Sequence, residues 1–307
     1  MATGHTDRKI GGKMTVGIGA ICQSGQCVLM VADMRGSFED ASLPPHEYMG
    51  KQYPLPNGFN VNTAGAKVIC QSMASELYTQ IEKLAKKRCI YHDHIRNAVR
   101  ETQFLEFLYR VDHEFRFHLG TTVAKWQKMQ KTTLLYRRAQ RIMRKYYLNV
   151  QLSVGGFLAD THPVLLTVHG NEPPEMEELS VIGSGTDPTL EVLVQHGQNP
   201  HMGIVRTIMH VYEAMEAAKA KDKYVGRCDG MVVLTPKQIR ILQLTSEFMK
   251  ELSGSFAGRD TEPLDDDMKR FDALMAELHH PGITKKEYDA GKRLLTHPDK
   301  PIRERYT

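Results

Sequence analysis

Two apolar stretches joined by a short polar turn occupy residues 15–35, and they constrain the fold more than any other part of the chain. The first stretch begins at Thr15, and the second ends at Asp33, two positions before an arginine. The turn between them is Gln-Ser-Gly-Gln at residues 23–26. Apolar runs on both sides of such a turn predict an antiparallel β-hairpin. On propensity alone, Thr15 is an ordinary β-forming residue at the head of a buried strand.

The composition is typical of a globular protein. Hydrophobic residues make up 41% of the 307 residues, so the chain can bury a core of useful size. The net charge of +4 does not by itself indicate nucleic-acid binding. No apolar run reaches the roughly 20 residues of a membrane helix, and the N-terminus lacks the apolar segment of a secretory signal. The five cysteines lie mostly in apolar patterns, which favours reduced thiols in a cytoplasmic protein.

The order of the predicted elements favours a layered α+β fold. Strands grouped in blocks between paired helices indicate sheets covered by helices, and they are not typical of alternating β–α–β units. In chain order we expect hairpins at 15–35 and 51–65, helices at about 66–84, 94–117 and 123–147, strands at 150–157, 164–169 and near 181, helices near 189 and at 203–219, and a hairpin at 230–244.

A loop-like segment at residues 254–264 precedes a C-terminal piece. Two short amphipathic helices are predicted there, at about 265–278 and 284–295, and Thr284 with Glu287 fits a helix capping box. The piece resembles the bacterial short C-terminal two-helix module. A two-helix hairpin is too small to be stable alone, so it should pack on its own chain or on a neighbour. Of the two, we expect a neighbouring subunit to cover its apolar side chains. These are Phe271, Leu274, Met275 and Leu278.

Short motifs recur along the chain in one characteristic order. The first hairpin closes with Val-Ala-Asp33-Met-Arg, and Lys51 opens the next hairpin 14 residues before Gly65. Gly-Ser-Gly follows at residues 183–185, and Asp-Lys-Tyr-Val-Gly follows at residues 222–226. No single motif is specific, but together and in this order they resemble those of proteasome β-type subunits, which are N-terminal nucleophile hydrolases.

The resemblance implies a fold, a domain division and partners. The fold would be a four-layer αββα sandwich of two antiparallel sheets over residues 15–250, with a flexible leader or propeptide at 1–14. Residues 255–307 would be a linker and a helical C-terminal extension. The family also implies self-association into rings, a peptide or unfolded-protein substrate and an ATP-dependent unfoldase as a candidate partner. It implies no metal or organic cofactor, no nucleic acid and no membrane.

The implied activity is that of a threonine-type peptidase. The Thr15 hydroxyl would attack the peptide carbonyl, and the free α-amine of the same residue would be the base, because its pKa near 8 suits neutral pH. Lys51 would tune both groups, and Asp33 would orient Lys51. The Gly65 N–H would bind the oxyanion that forms during attack.

Other residues match the family less completely. Ser184 and Asp222 would hold the amine, but Val225 stands where the family has serine, so one hydrogen-bond partner is missing. Thr63 and Lys67 fall where the family lines its substrate pocket. A lysine at position 67 would favour acidic side chains in the substrate; the alternative is a surface charge at the start of the helix.

The register of the first hairpin leaves an alternative open. Aligning Thr-Val-Gly-Ile with the family by residue type puts Lys13 at the nucleophile position, and a two-residue shift keeps the strand parity. Retention of Asp33, Lys51 and Gly65 favours Thr15. Exposure of Thr15 requires self-cleavage after Met14 or a translation start at that methionine. The competing functions are a catalytically inactive ring subunit and an N-terminal nucleophile amidase acting on a small amide.

Residues 125–147 combine many Lys and Arg residues with aromatic residues. A helix on the outside of the particle or at a subunit contact is the expectation, and nucleic-acid binding is not expected because no RNA-binding motif surrounds it. The histidine pairs at residues 92–94 and 279–280 are expected to be solvated and not to bind a metal.

Overall fold

The computed structural model describes residues 15–33, 51–86, 90–159, 161–221, 225–226, 229–256, 264–278 and 282–287. Within them the chain has an α+β architecture with two five-stranded antiparallel sheets. The strands are β1 (Gly17–Cys22), β2 (Cys27–Asp33), β3 (Gln52–Leu55), β4 (Phe59–Gly65), β5 (Val150–Phe157), β6 (Pro163–His169), β7 (Glu175–Met176), β8 (Leu179–Ile182), β9 (Asp229–Leu234) and β10 (Ile239–Gln243). The helices are α1 (Lys67–Ala85), α2 (His92–Leu119), α3 (Val123–Gln127), α4 (Leu134–Lys145), α5 (Thr186–Gln195), α6 (Ile204–Lys221), α7 (Ser246–Phe256) and α8 (Leu264–Glu277).

Each sheet takes its strands from distant parts of the chain. Sheet I has the order β10-β9-β2-β1-β8, and sheet II has the order β3-β4-β5-β6-β7. The two sheets pack face to face through apolar side chains such as Met30 of sheet I and Phe157 of sheet II. Helices α5 and α6 share a core with the other face of sheet I, and α1 and α2 share one with the other face of sheet II. Apolar burial therefore occurs on both faces of each sheet.

The first hairpin forms as predicted and lies in the middle of sheet I. Strands β1 and β2 pair from Gly17 opposite Ala32 to Cys22 opposite Cys27, and both strands are buried along their whole length. The turn is a short 3-10 segment in which Gln23, Ser24 and Gly25 have positive φ. Cys22 and Cys27 are buried free thiols. Apolar layers pack on both faces of sheet I. This explains why the hairpin strands are continuously apolar and do not alternate with polar residues.

The helix predicted over residues 123–147 is instead two helices, α3 and α4. The Thr122 hydroxyl accepts a hydrogen bond from the Lys125 N–H at 3.1 Å, and the Thr133 hydroxyl accepts one from the Tyr136 N–H at 3.1 Å. Threonine caps of this kind start helices and compete with helix continuation. The polar segment between the two helices was overlooked because the apolar spacing continues across it.

The C-terminal piece packs on its own chain. Phe271, Leu274 and Met275 are buried in the core formed by sheet I with α6 and α7. Asp272 pairs with Arg240 of β10 at 2.8 Å, and Ile283 forms a bridge with Ile239 of the same strand. The expectation that a neighbouring subunit covers these apolar residues is therefore wrong. The edge strand β10 provides part of the surface on which the C-terminal piece packs. A local sequence pattern cannot identify that surface.

The capping box of the second C-terminal segment is confirmed, since Thr284 and Glu287 exchange side-chain and backbone hydrogen bonds. Among the described helices, none combines the length and apolarity needed to cross a membrane.

Candidate active site

Thr15 lies two residues before the start of β1 and is 5% exposed. Its N–H donates to the Ser184 hydroxyl at 3.3 Å, and its carbonyl accepts from the Gly185 N–H at 3.3 Å. Ser184 sits in the turn between β8 and α5, so a residue 169 positions away in the chain contacts the Thr15 nitrogen. The Gly-Ser-Gly motif therefore packs directly against the head of the first strand.

The glycines of this motif are required by close backbone contact. Gly183 has a φ of +98°, and a Cβ atom there would lie 1.9 Å from the Thr15 carbonyl oxygen. A Cβ atom on Gly185 would lie 2.6 Å from a methyl carbon of Val16. Side chains at these two positions would push the turn away from Thr15. Ser184 between them can thus reach the Thr15 nitrogen.

Asp33 is fully buried at the end of β2 and accepts three hydrogen bonds. Its Oδ1 accepts from the Val16 N–H at 2.8 Å, and its Oδ2 accepts from the Lys51 Nζ at 2.8 Å and from the Gly226 N–H at 3.0 Å. Lys51 is 9% exposed, so this is a buried ion pair. The two backbone N–H groups fix the carboxylate, and the carboxylate fixes the ammonium group.

The strand register places Thr15 beside this ion pair. The Asp33 N–H donates to the Val16 carbonyl at 3.1 Å, so Asp33 is opposite the residue that follows Thr15. Thr15, Asp33, Lys51 and Ser184 therefore meet at one end of the β1–β2 hairpin. Lys13, the alternative nucleophile position, lies outside the described residues.

Thr63 connects Lys51 to the end of β4. Its N–H and its hydroxyl both donate to the Lys51 carbonyl, at 2.7 Å and 3.2 Å. Thr63 is buried, whereas Lys67 is exposed in the first turn of α1. The Thr63 hydroxyl therefore positions the Lys51 backbone. The substrate-pocket roles of Thr63 and Lys67 stay predictions.

Gly65 ends β4 two residues after Thr63. Its φ of +119° is unfavourable for other residues, and a Cβ atom there would lie 2.3 Å from the Asn149 carbonyl oxygen. The conformation explains why glycine is needed between β4 and α1. The role of its N–H in binding an oxyanion stays a prediction.

Two buried amides that the sequence reading missed connect the sheets near this site. The Asn62 Nδ2 donates to the carbonyls of Ile18 and Val31, at 3.1 Å and 2.9 Å. Gln52 Nε2 donates to the Met30 carbonyl at 2.9 Å and to the Asn62 side-chain oxygen at 3.0 Å. These bonds set the position of sheet II, which carries Lys51, against the strand that carries Asp33. Asparagine in an otherwise buried strand was the available signal.

Cys70 is a potential competing nucleophile near Lys51. It lies close enough to Lys51 and Thr63 for both to affect its thiol. Burial nevertheless raises the pKa of the Cys70 thiol to about 11. The thiol is therefore protonated at neutral pH and a poor nucleophile.

A second buried carboxylate lies next to Asp33 on the neighbouring strand. Asp229 is opposite Asp33 in the β2–β9 register, and its Oδ2 accepts from the Lys219 Nζ at 2.6 Å. Burial raises the pKa of Asp229 to about 7 despite the adjacent Lys219 ammonium group. Asp229 also lines a cleft of about 610 Å³ between the end of α6 and the start of α7.

The last predicted motif is only partly described. Asp222 lies outside the described residues, as does Met14. Val225 is 3% exposed and belongs to the apolar core under α6, and Gly226 donates to Asp33 as described above. The sequence reading gave this motif a role in holding the amine, whereas the described part of it contacts the Asp33 carboxylate.

No protein-family model matches this chain, and no curated protein matches it in sequence.

Proposed function

We propose that this protein is a threonine-type endopeptidase of the proteasome β class with an N-terminal nucleophile hydrolase fold, and that Thr15 is its nucleophile. The observation that carries the proposal is the arrangement around Asp33. Asp33 binds both the backbone next to Thr15 and the Lys51 ammonium group, while Ser184 contacts the Thr15 nitrogen. A buried ion pair is often no more stabilising than apolar side chains of the same size, so stability alone does not explain a buried lysine at this position.

The proposed reaction begins after the bond between Met14 and Thr15 is cut. The freed α-amine has a pKa near 8 and accepts the proton of the Thr15 hydroxyl as the oxygen attacks the peptide carbonyl. The amine then returns the proton to the leaving nitrogen, and the peptide bond breaks to give an ester on Thr15. Water attacks this ester, and the same amine serves as the base. Ser184 keeps the amine oriented through both steps.

Lys51 supplies the electrostatic part of the mechanism. A buried ammonium group attracts the oxygen of a deprotonated hydroxyl and repels a protonated amine. It therefore favours the deprotonated hydroxyl and the neutral amine. Asp33 holds that charge in place at 2.8 Å, so little reorganisation is needed during attack. Gly65 is the proposed N–H donor to the oxyanion.

An inactive ring subunit is the second candidate, and Val225 favours it. Val225 lies in an apolar core and has no polar side-chain atom, so it cannot replace the serine that the family uses to orient the amine. The first candidate is preferred because the Asp33–Lys51 pair is intact.

The test combines processing with turnover. We expect N-terminal sequencing and intact mass to show a chain beginning at Thr15, and we expect the protein to cleave unstructured peptides. Thr15→Ala should reduce cleavage by about a thousand-fold or more, because it removes the attacking oxygen. Thr15→Ser is the matched control, since it keeps a hydroxyl at the same position and should retain measurable turnover.

An unprocessed chain with no turnover would favour the inactive subunit. Turnover that is unchanged in Thr15→Ala would show that another residue is the nucleophile. Cleavage of small amides without cleavage of peptides would favour the amidase.

A further inference from the structure

The charge of the chain is concentrated in one segment. Residues 115–159 contain nine Lys and Arg residues and no Asp or Glu. The rest of the chain has 31 Lys and Arg residues against 36 Asp and Glu residues, so it is net acidic. The overall charge of +4 hides this separation. A strong local field of one sign attracts oppositely charged partners.

The structure places most of these charges on a surface that we call the cationic face. Within α4 the arginines and the lysine are spaced so that they share about a third of the helix circumference. The opposite side of α4 packs its Ala139, Ile142 and Met143 side chains into a small core with α2. All side chains of the cationic face are exposed. They are Lys125, Lys128, Lys131, Arg137, Arg138, Arg141, Arg144 and Lys145.

Among the described residues, no acidic side chain neutralises the cationic face. None of the ion pairs between described residues includes any of its eight side chains. The two nearest described acids that precede the face in sequence have other partners. Glu114 lies 3.2 Å from His118. Asp112 accepts from the Val123 N–H at 2.7 Å and pairs with Arg116 at 2.6 Å. The repulsion among the eight charges therefore favours an anionic partner that spans several of them.

An aromatic stack makes the face rigid. Trp126 of α3 lies between Phe115 of α2 and Tyr136 of α4, with ring centroids 5.8 Å and 5.2 Å apart. The Trp126 indole N–H also donates to the Tyr136 carbonyl at 3.3 Å. Lys125 of α3 and the arginines of α4 therefore belong to one packed unit. Because Trp126 and Tyr136 stack on each other, their facing rings give no base-stacking platform.

We propose that the cationic face binds nucleic acid through its phosphates, without reading base sequence. The expectation of no nucleic acid rested on the lack of an RNA-binding motif, which phosphate contacts do not need. Arginine predominates on α4, and its planar guanidinium group suits phosphate better than lysine does. A membrane is disfavoured because the apolar side of α4 is buried against α2 and cannot insert. A nucleic acid is favoured over an acidic protein because its phosphates repeat every few ångströms along the strand and can meet every turn of α4. The proposal goes beyond the peptidase activity and does not depend on it.

The binding test uses the full chain and a short fluorescent strand of deoxythymidine, followed by anisotropy. With about four phosphates contacted, affinity should fall about 50-fold between 50 and 200 mM salt. The triple variant Arg137→Glu, Arg141→Glu and Arg144→Glu should abolish binding at the lower salt concentration. The matched control makes the same charge change at exposed lysines outside the face, and it should bind within about two-fold of the unaltered chain. Its substitutions are Lys237→Glu, Lys250→Glu and Lys286→Glu.

A second measurement avoids variants altogether. Lysine acetylation of the unaltered chain, with and without the strand, should show protection at Lys125, Lys128, Lys131 and Lys145 and none at the three control lysines. Absence of binding at low salt would overturn the proposal, as would equal loss in the two triple variants. Tighter binding of a polyglutamate peptide or of vesicles rich in phosphatidylserine would also overturn it, in favour of an acidic protein or a membrane.

Discussion

Asp33 and Asp229 are buried aspartates opposite each other on neighbouring strands, and each is bonded to a lysine, yet their surroundings differ. Asp33 accepts from two backbone N–H groups as well as from Lys51. Asp229 shares Lys219 with Glu216, and its Oδ1 has no hydrogen-bond partner among the described residues. Backbone donors therefore fix the first carboxylate against Lys51, whereas burial without them raises the pKa of the second to about 7.

Asp33 positions the charge of Lys51, whereas Asp229 can change its own charge. Asp33 holds the Lys51 ammonium group in its place beside Thr15. Asp229 can take up a proton when its lysine is removed, because burial already raises its pKa to about 7. The number of backbone donors thus decides whether a buried aspartate is fixed in position or can change its charge with pH.

The largest expected effect comes from breaking the two ion pairs in turn. Lys51→Met should lower the free energy of unfolding by about 3–5 kcal/mol, because it leaves the Asp33 charge buried and uncompensated. It should also abolish peptide cleavage. Lys219→Met should cost about 1–2 kcal/mol, since Asp229 can become neutral and Lys219 is partly exposed. Urea unfolding at neutral pH measures both. Equal losses would contradict the distinction between the two aspartates.

The next effect is the pH dependence of Asp229. Its pKa is raised on folding from 3.8 to about 7, so the folded state binds the extra proton and stability falls as pH rises between these values. Asp229→Asn removes this loss. Between about pH 5 and pH 8, the free energy of unfolding of the variant should therefore rise by on the order of 2 kcal/mol relative to that of the unaltered chain.

Urea unfolding at several pH values tests the prediction for Asp229. Glu191→Gln is the control, because Glu191 is an exposed partner of Lys221 and its pKa is lowered, chiefly by that lysine. Its substitution should not change the pH dependence above about pH 5. A flat difference between Asp229→Asn and the unaltered chain would show that Asp229 stays ionised.

A smaller effect is expected from Val225, which precedes the Gly226 donor to Asp33. Val225→Ser should lower stability by about 1–2 kcal/mol, because a buried side chain loses apolar contacts. Under the proposed mechanism its hydroxyl would restore an orienting hydrogen bond, so turnover per folded molecule should be unchanged or higher. Val225→Ala is the matched control for lost packing. Reduced turnover in the serine variant alone would contradict the assigned role.

The smallest effect concerns His210, whose pKa moves in the opposite sense. Burial, followed by the charge of His196, lowers its pKa from 6.5 to about 4. Its contribution to stability is present above 6.5 and is lost as pH falls towards 4. His210→Gln should therefore lessen the destabilisation between about pH 7 and pH 5, by about 1 kcal/mol or less because the ring is partly exposed. Thermal melts at both pH values measure this effect. The same change in melting temperature in the variant and in the unaltered chain would contradict the prediction.

Several features of the molecule follow from local sequence patterns. The β1–β2 hairpin, strand β5, helix α6 and the Thr284 capping box form where the sequence predicts them, because apolar periodicity and turn residues act over a few positions. The sequence also singled out Thr15, Asp33, Lys51 and Ser184, which the structure brings to one end of the hairpin. Their motifs are short and each lies at the end of a strand.

Other features depended on contacts between distant parts of the chain. The bonds of Asn62 to β1 and β2, the Gly226 contact with Asp33 and the pairing of Asp229 opposite Asp33 need the register of strands far apart in sequence. The packing of Phe271 on its own core needs the surface beside β10. The local pattern determined which residues form each element and which residues end it. Only tertiary packing decided which buried carboxylate meets which donors, because hydrogen-bond partners in a sheet are set by neighbours and not by spacing along the chain.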